Sequence, residues 1–263
     1  MLLGILSAVL VLGVMGLIFG AALSIASGIF AVKEDERKPR ILEALPGANC
    51  GGCGYAGCSA YADAIIENNA PVNLCPVGKQ QCADQIASIM GVESAEVKKM
   101  IANVRCSGNN EYANSKYNYY GINDCAAAAR LLDGYMSCKY GCLGFGNCMR
   151  ACPNNAISIN NGVAEINRDL CVGCGACADA CPKHVIDILP ADTAFLIKCS
   201  NHDKGALTRK ECTAGCISCR ICEKNCPSGA ITVIDNLAVV DYQKCINCGV
   251  CIKKCPSHII RPA

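Results

Sequence analysis

The sequence predicts an α+β chain: one N-terminal transmembrane helix, a small, mostly helical cysteine-rich domain, and two similar modules built from short hairpins. Three observations predict it: an uncharged run from Leu2 to Val32, 25 cysteines among 263 residues, and an internal repeat in the C-terminal half. With no Trp and only 4 Phe, the remainder cannot be organised around one large aromatic core. Small cross-linked units are expected instead.

The run Leu2 to Val32 carries no charged side chain and exceeds the ~20 residues needed to cross a bilayer, so residues 1–32 read as a transmembrane helix. A cleaved signal peptide fits less well, because no basic residue precedes the run and it outlasts the ~7–15-residue apolar region of such peptides. Lys33, Arg37, Lys38 and Arg40 follow directly. The positive-inside rule then predicts a single pass through the cytoplasmic membrane, with the N-terminus outside and the cysteine-rich bulk on the cytoplasmic side. Thiols stay reduced there, which disfavours disulfides. Gly16, Gly20, Ser24 and Gly28 recur at every fourth position and would let a second membrane helix approach closely, although glycine is common in membrane helices anyway.

Residues 33–100 hold the stretch "LPGANCGGCGYAGC" from Leu45 to Cys58. Cys50, Cys53 and Cys58, followed by Cys75 before Pro76, supply four thiolates for one metal centre, and Gly47, Gly51, Gly52, Gly54 and Gly57 let backbone N–H groups approach it. Helices are expected over Ser59–Asn68 and over Gln80–Asn103, where Ile86, Ile89, Met90, Val97 and Ile101 recur at helical intervals. Residues 101–134 form a connecting segment with an aromatic, Asn-rich stretch, Tyr112–Tyr120, and a helix-like run, Cys125–Leu132. No fold follows from these signals.

Residues 135–198 and 199–263 are the two modules. "NCMRACPNNAISINNGVAEINRDLCVGCGACADACP" overlays "ICEKNCPSGAITVIDNLAVVDYQKCINCGVCIKKCP" without a gap. In each copy a short alternating run (Ala156–Ile159, Ala230–Ile234) leads into a turn (Asn160-Asn161-Gly162, Asp235-Asn236) and a second alternating run, which reads as a hairpin.

Three runs share the form C-x2-C-x2-C-x3-C-P, beginning at Cys171, Cys216 and Cys245. That spacing is the bacterial ferredoxin signature, in which three successive thiolates reach one 4Fe-4S cube and the fourth ligates the partner cube. The crossed rule groups Cys216, Cys219, Cys222 and Cys255 at one cluster, and Cys245, Cys248, Cys251 and Cys226 at another. In the preceding module Cys171, Cys174, Cys177 and Cys152 form one set; Cys148 and Cys181 are left to combine with Cys138 and Cys142 of "CKYGCLGFGNC". Structural zinc is the competing use of paired C-x2-C motifs, but it would leave these runs with surplus thiols. By the same chemistry the Cys50, Cys53, Cys58, Cys75 set is expected to hold a separate 4Fe-4S cluster.

Five clusters leave Cys82, Cys106, Cys125, Cys199 and Cys212 over. Cys106-Ser107 and Cys199-Ser200 occupy similar places ahead of the two modules, so Cys106, Cys125, Cys199 and Cys212 are candidates for a sixth cluster. Two alternatives stay open: Cys212 matches Cys138, each preceding an x3-Cys, with ligands exchanged between the sets, or the leftover thiols are free and buried. The formal charge of +2 becomes negative once each oxidised cluster with four thiolates contributes about −2. Lys183, Lys253 and Lys254 are placed either to steer an acidic electron donor or, the simpler reading, to act as solvated charges offsetting nearby clusters. There is no dinucleotide fingerprint and no phosphate-binding loop, and His184, His202 and His258 have no triad or zinc spacing. The motifs carry one-electron chemistry, with no catalytic residue of their own.

Taken together, "LPGANCGGCGYAGC" with Cys75, "CKYGCLGFGNC" and the ferredoxin runs resemble the B subunit of the Rnf complex over nearly the whole chain. The resemblance implies membership of a membrane ferredoxin:NAD+ oxidoreductase that couples electron flow to sodium or proton export. It implies that the chain accepts electrons from reduced ferredoxin and relays them to flavin and iron–sulfur partner subunits, with NAD+ reduced elsewhere and no nucleic-acid partner. The coupling ion is not legible, since the apolar helix has no ionisable residue to bind it. A polyferredoxin serving a hydrogenase- or quinone-linked membrane complex is the alternative.

Overall fold

The computed structural model describes residues 2–29 and 35–263, with side chains of the first helix described from residue 10 to 26. That helix, α1 (Leu2–Ile29), is followed by α2 (Arg37–Ala44), α3 (Cys58–Asn68) and α4 (Lys79–Met90). From Leu10 to Ile25 every α1 side chain is exposed, including Leu17 at 75% and Leu23 at 70%. Among the described residues no helix is long and apolar enough to cross a membrane. The expected transmembrane pass is thus not supported by the described residues, which show an apolar helix, α1. Of the four basic residues behind the expected topology, Lys33 lies outside the described residues, while Arg37, Lys38 and Arg40 lie on α2.

Helices α2, α3 and α4 pack as a small unit around Ile41, Tyr61, Ile65 and Ile86, each no more than 1% exposed. Burying one such side chain contributes about 1.5–3 kcal/mol, so four of them, with flanking alanines, suffice to hold three short helices together. Lys38 on α2 reaches Asp63 on α3 at 2.7 Å. The expected helix Gln80–Asn103 ends early, at Met90. Gly91 takes the left-handed conformation (φ 69°) that commonly terminates helices, and the chain emerges extended as β1 (Met100–Val104).

β1 belongs to the first module. After α5 (Cys125–Ala129) and α6 (Asn147–Arg150), the chain makes the hairpin β2 (Ile157–Asn160) and β3 (Val163–Ile166), the short helix α7 (Ala176–Asp179), and β4 (Ile186–Pro190), which pairs antiparallel with β1. Ile101 and Val104 of β1 are thereby buried with Ile157, Val163 and Val185, which is why strand pairing overrides the helical spacing that ends at Ile101. The second module repeats the plan. β5 (Phe195–Ile197) leads through α8 (Gly205–Glu211) and α9 (Ile221–Lys224) to the hairpin β6 (Ile231–Ile234) and β7 (Leu237–Val240), then α10 (Val250–Lys254) and β8 (Ile260–Pro262), which pairs with β5.

Both hairpins fall where the alternation places them. Their two-residue turns, Asn161-Gly162 (φ 46° and 84°) and Asp235-Asn236 (φ 47° and 64°), have positive φ at both positions, as the twist of a tight hairpin demands. The Asn- and Tyr-rich segment between β1 and α5 fastens the modules together: Asn114 N–H donates to Glu211 O (2.9 Å) and Thr213 N–H to Tyr112 O (2.8 Å). Its Tyr119 meets Tyr135 and Phe145 from beyond α5, the three ring centroids 5.3–6.2 Å apart.

Candidate metal centres

The opening loop lies between α2 and α3. Gly51 and Gly54 adopt positive φ (74° and 87°), and Gly54 N–H donates to Gly51 O at 2.8 Å, curling the backbone between Cys50, Cys53 and Cys58. Asn49 accepts from Cys58 N–H through Oδ1 (2.8 Å), fixing where α3 starts. Buried Tyr61 donates its hydroxyl to Pro71 O (2.6 Å) and accepts from Leu74 N–H (3.1 Å), holding the segment that carries Cys75 over the loop. Cys75 also accepts from Gly78 N–H at 3.3 Å. Burial pushes the Cys53 thiol up, partly offset by backbone N–H groups, with the charges of Cys75 and Cys50 adding to the rise. Cys82, on α4, lies against Cys75; a hydrogen bond between them holds the Cys75 thiol down to about 6 and pushes that of Cys82 up.

In the first module Cys152, Cys171, Cys174 and Cys177 ring one cavity of about 330 Å³. In the second, Cys216, Cys219, Cys222 and Cys255 ring another of about 340 Å³. In both, the thiol preceding proline comes from the opposite half of the module, as crossed ligation requires. Cys245, Cys248 and Cys251 stand close enough for the first two to act electrostatically on the third, while Cys226 and Cys245 flank the same core. Backbone N–H groups point at the sulfurs: Ala102 at Cys171, Ala156 at Cys152 and Asn247 at Cys245, each at 3.3 Å.

Two expected groupings differ. Cys138 does not join Cys142, Cys148 and Cys181; Cys125 does, and the four ring a cavity of about 350 Å³. Cys138 stands with Cys106, Cys199 and Cys212 around a cavity of about 390 Å³, in the place expected for Cys125; Cys142 lines both this cavity and its own. The exchange has a local cause. Asn147 accepts from Cys125 N–H (2.8 Å) and donates to Asp124 Oδ2 (2.7 Å), and Asp124 caps α5 through Ala127 N–H. The sequence held the clue: in the gapless register Phe145 falls where the second module has Cys219, so this module needs one thiol from elsewhere.

The donor set fits a polynuclear cluster. Burial, with neighbouring cysteine charges adding to it, pushes the thiols of Cys177 and Cys222 up to about 11 and that of Cys148 to about 12. Such thiols ligate as thiolates only beside compensating positive charge. They ring cavities instead of converging on a point: among the described residues no group of three or more His, Cys, Asp or Glu could hold a single metal ion.

Neighbouring sets abut. Gly52 of the opening loop faces the Cys174 backbone so closely that a Cβ there would lie 2.7 Å from its carbonyl oxygen. Cys142 N–H donates to Cys106 Sγ (3.4 Å), and Cys216 N–H to Cys199 Sγ (3.3 Å).

The fold and its rings of thiols define a multi-centre 4Fe-4S protein. Family profiles agree. A "Putative Fe-S cluster" family matches residues 45–77, 4Fe-4S binding domains match 142–156 and 164–187, and a 4Fe-4S dicluster domain matches 215–259. Among curated proteins, the B subunit of the ion-translocating oxidoreductase complex of Methanosarcina acetivorans is 43% identical over 241 residues, 91% of either chain. The B subunit of the Na(+)-translocating ferredoxin:NAD(+) oxidoreductase complex of Acetobacterium woodii is 45% identical over 93% of this chain and 74% of its own. A proton-translocating counterpart from Clostridium ljungdahlii is 41% identical over 88% and 82%. The chain belongs to this family of B subunits of ion-translocating, Rnf-type oxidoreductase complexes.

Proposed function

We propose that this chain is the electron-relay component of a membrane ferredoxin:NAD+ oxidoreductase that exports Na+ or H+, taking electrons from reduced ferredoxin and passing them to partner subunits. The observation that carries the reading is the seat of the opening loop directly on the Cys174 loop, so that the helical domain and the first module share one contact. Bound 4Fe-4S groups supply reversible one-electron exchange. The residues holding them are Cys50, Cys53, Cys58 and Cys75; Cys152, Cys171, Cys174 and Cys177; Cys125, Cys142, Cys148 and Cys181; Cys216, Cys219, Cys222 and Cys255; and Cys226, Cys245, Cys248 and Cys251. The protein's part is to supply thiolates, to direct N–H groups at sulfur and to exclude water, since most of these cysteines are buried.

The chain has no dinucleotide fingerprint, which assigns NAD+ reduction to another component of the complex. Helix α1, apolar and exposed from Leu10 to Ile25, serves as a single-pass anchor, with the basic residues after it on the cytoplasmic side. Cys248 and Cys219 are the two exposed cysteines, both in the second module, which makes that module the side open to a soluble donor and leaves the helical domain facing the membrane partners.

The test uses the complex in native membranes. Cys53→Ser is expected to leave the second module reducible by ferredoxin while abolishing ferredoxin-driven NAD+ reduction. Undiminished turnover overturns the relay through the opening loop, and co-purification with hydrogenase in place of flavoprotein subunits overturns the assignment of the complex.

A further inference from the structure

The ring formed by Cys106, Cys138, Cys199 and Cys212 falls within none of the matched family regions. It lies between the modules and is built from equivalent positions of the two repeats. Cys106 follows β1 by two residues, as Cys199 follows β5; Cys138 precedes Cys142 by four, as Cys212 precedes Cys216. The supporting contacts repeat as well. Cys142 N–H donates to Cys106 Sγ at 3.4 Å where Cys216 N–H donates to Cys199 Sγ at 3.3 Å. The residues before the first thiol of each pair are held alike, Arg105 N–H to Val185 O and Lys198 N–H to Ile259 O, both at 2.7 Å. Each pair therefore brings a cation, Arg105 or Lys198, to the cavity wall.

The ring also has the polar support of a ligand site. Asn201, 2% exposed, donates from Nδ2 to Cys138 Sγ (3.3 Å) and from its backbone to Cys199 Sγ (3.5 Å). Gly108 leaves room between the two halves, since a Cβ there would lie 3.1 Å from Cys212 Sγ and 3.7 Å from Cys106 Sγ. Free buried thiols need neither convergent N–H donors nor flanking cations, whereas a cluster with four thiolates, carrying about −2 in all, is stabilised by both.

We infer that the junction between the modules holds a sixth 4Fe-4S cluster, ligated by Cys106 and Cys138 from the first repeat and by Cys199 and Cys212 from the second. It accepts N–H donors from the loops of Cys142 and Cys216, each a ligand of an adjacent site, and so closes the gap between the two ferredoxin-like modules. With it, every cysteine except Cys82 has a place as a ligand. This deepens the relay reading, on which it rests for the type of metal centre.

The experiment is iron and acid-labile sulfide analysis of the full-length protein purified without oxygen. The unmutated chain is expected to carry about 24 Fe, and about 20 overturns the inference without needing a variant. Pairs of substitutions then identify shared ligands. Cys138→Ala, Cys212→Ala and the double variant are each expected to lose the same ~4 Fe, whereas Cys125→Ala with Cys212→Ala loses ~8. Full iron in Cys212→Ala, or a common loss of only ~4 Fe in the Cys125, Cys212 pair, overturns the assignment. About 20 Fe with normal ferredoxin oxidation rejects the sixth site and leaves the relay standing; absence of iron rejects both.

Discussion

Gly52→Ala tests whether the opening loop and the first module act as one unit. At Gly52 an added methyl would stand 2.7 Å from the Cys174 carbonyl oxygen, 3.0 Å from its Cα and 3.0 Å from Pro76 Cγ. Ordinary contact begins near 3.4 Å, so the loop must retreat by about 0.7 Å from the carbonyl. Two of the three obstacles are backbone atoms of Cys174, and they cannot rotate aside as a flexible side chain would. Overpacking of this kind costs about 1–3 kcal/mol. Spent on the contact between domains, that lowers the ratio of docked to undocked forms about 5- to 150-fold. None of the four thiols of the opening loop is altered, so iron content is expected to match the parent protein. The assay is ferredoxin-driven NAD+ reduction by the intact complex, alongside limited proteolysis of residues 91–99, which join the helical domain to β1. Slower turnover and faster cleavage at full iron are expected. Parental turnover and protection together would show that the close approach has no consequence, and the reasoning from contact to relay fails.

Asn147→Ala removes the acceptor of Cys125 N–H and the link to Asp124; it is expected to cost about 1–3 kcal/mol and to make the Cys125 site the first to lose iron under a chelator, while unchanged iron release would refute its positioning role. Tyr61→Phe leaves Pro71 O and Leu74 N–H without their buried hydroxyl partner; an expected loss of about 1–3 kcal/mol should appear as a lower melting temperature in anaerobic calorimetry, and an unshifted melt would mean that another group satisfies both.

Local features were legible wherever a residue's role depends on its sequence neighbours. Asn161-Gly162 announces a tight hairpin because both positions must accept positive φ, and the regular cysteine runs announce their own loops. The positions of Cys152 and Cys255, beside the cysteine runs of the opposite half, were legible because a shared spacing rule ties them there. What depended on tertiary pairing was not. The helical spacing of Val97 and Ile101 gave no warning that Gly91 ends α4 and that β1 pairs with the distant β4, Met100 opposite Pro190 and Val104 opposite Ile186. The exchange of Cys125 and Cys138 depends on Asn147 catching a segment 22 residues earlier. Helix α1 was legible as apolar from composition alone, and its exposed side chains from Leu10 to Ile25 accord with that.

The placement of Cys138 and Cys212 explains why the repeat works as a pair. Each module, taken alone, would carry two leftover thiols, too few for a cluster: Cys106 and Cys138 in one, Cys199 and Cys212 in the other. Burial pushes the thiols of Cys106 and Cys199 up to about 12, which disfavours thiolate in either half alone. Facing the two halves across one cavity resolves the problem in both modules at once. It also makes their relative position a condition of ligation, because a shift of either module separates two thiols from the other two. The clasp of Asn114 on Glu211 and of Thr213 on Tyr112, whose segment ends beside these cysteines, guards against that shift. A freely hinged pair of ferredoxin-like units would need no such clasp, and holding the joint in place keeps the spacing of one-electron sites constant along a single chain.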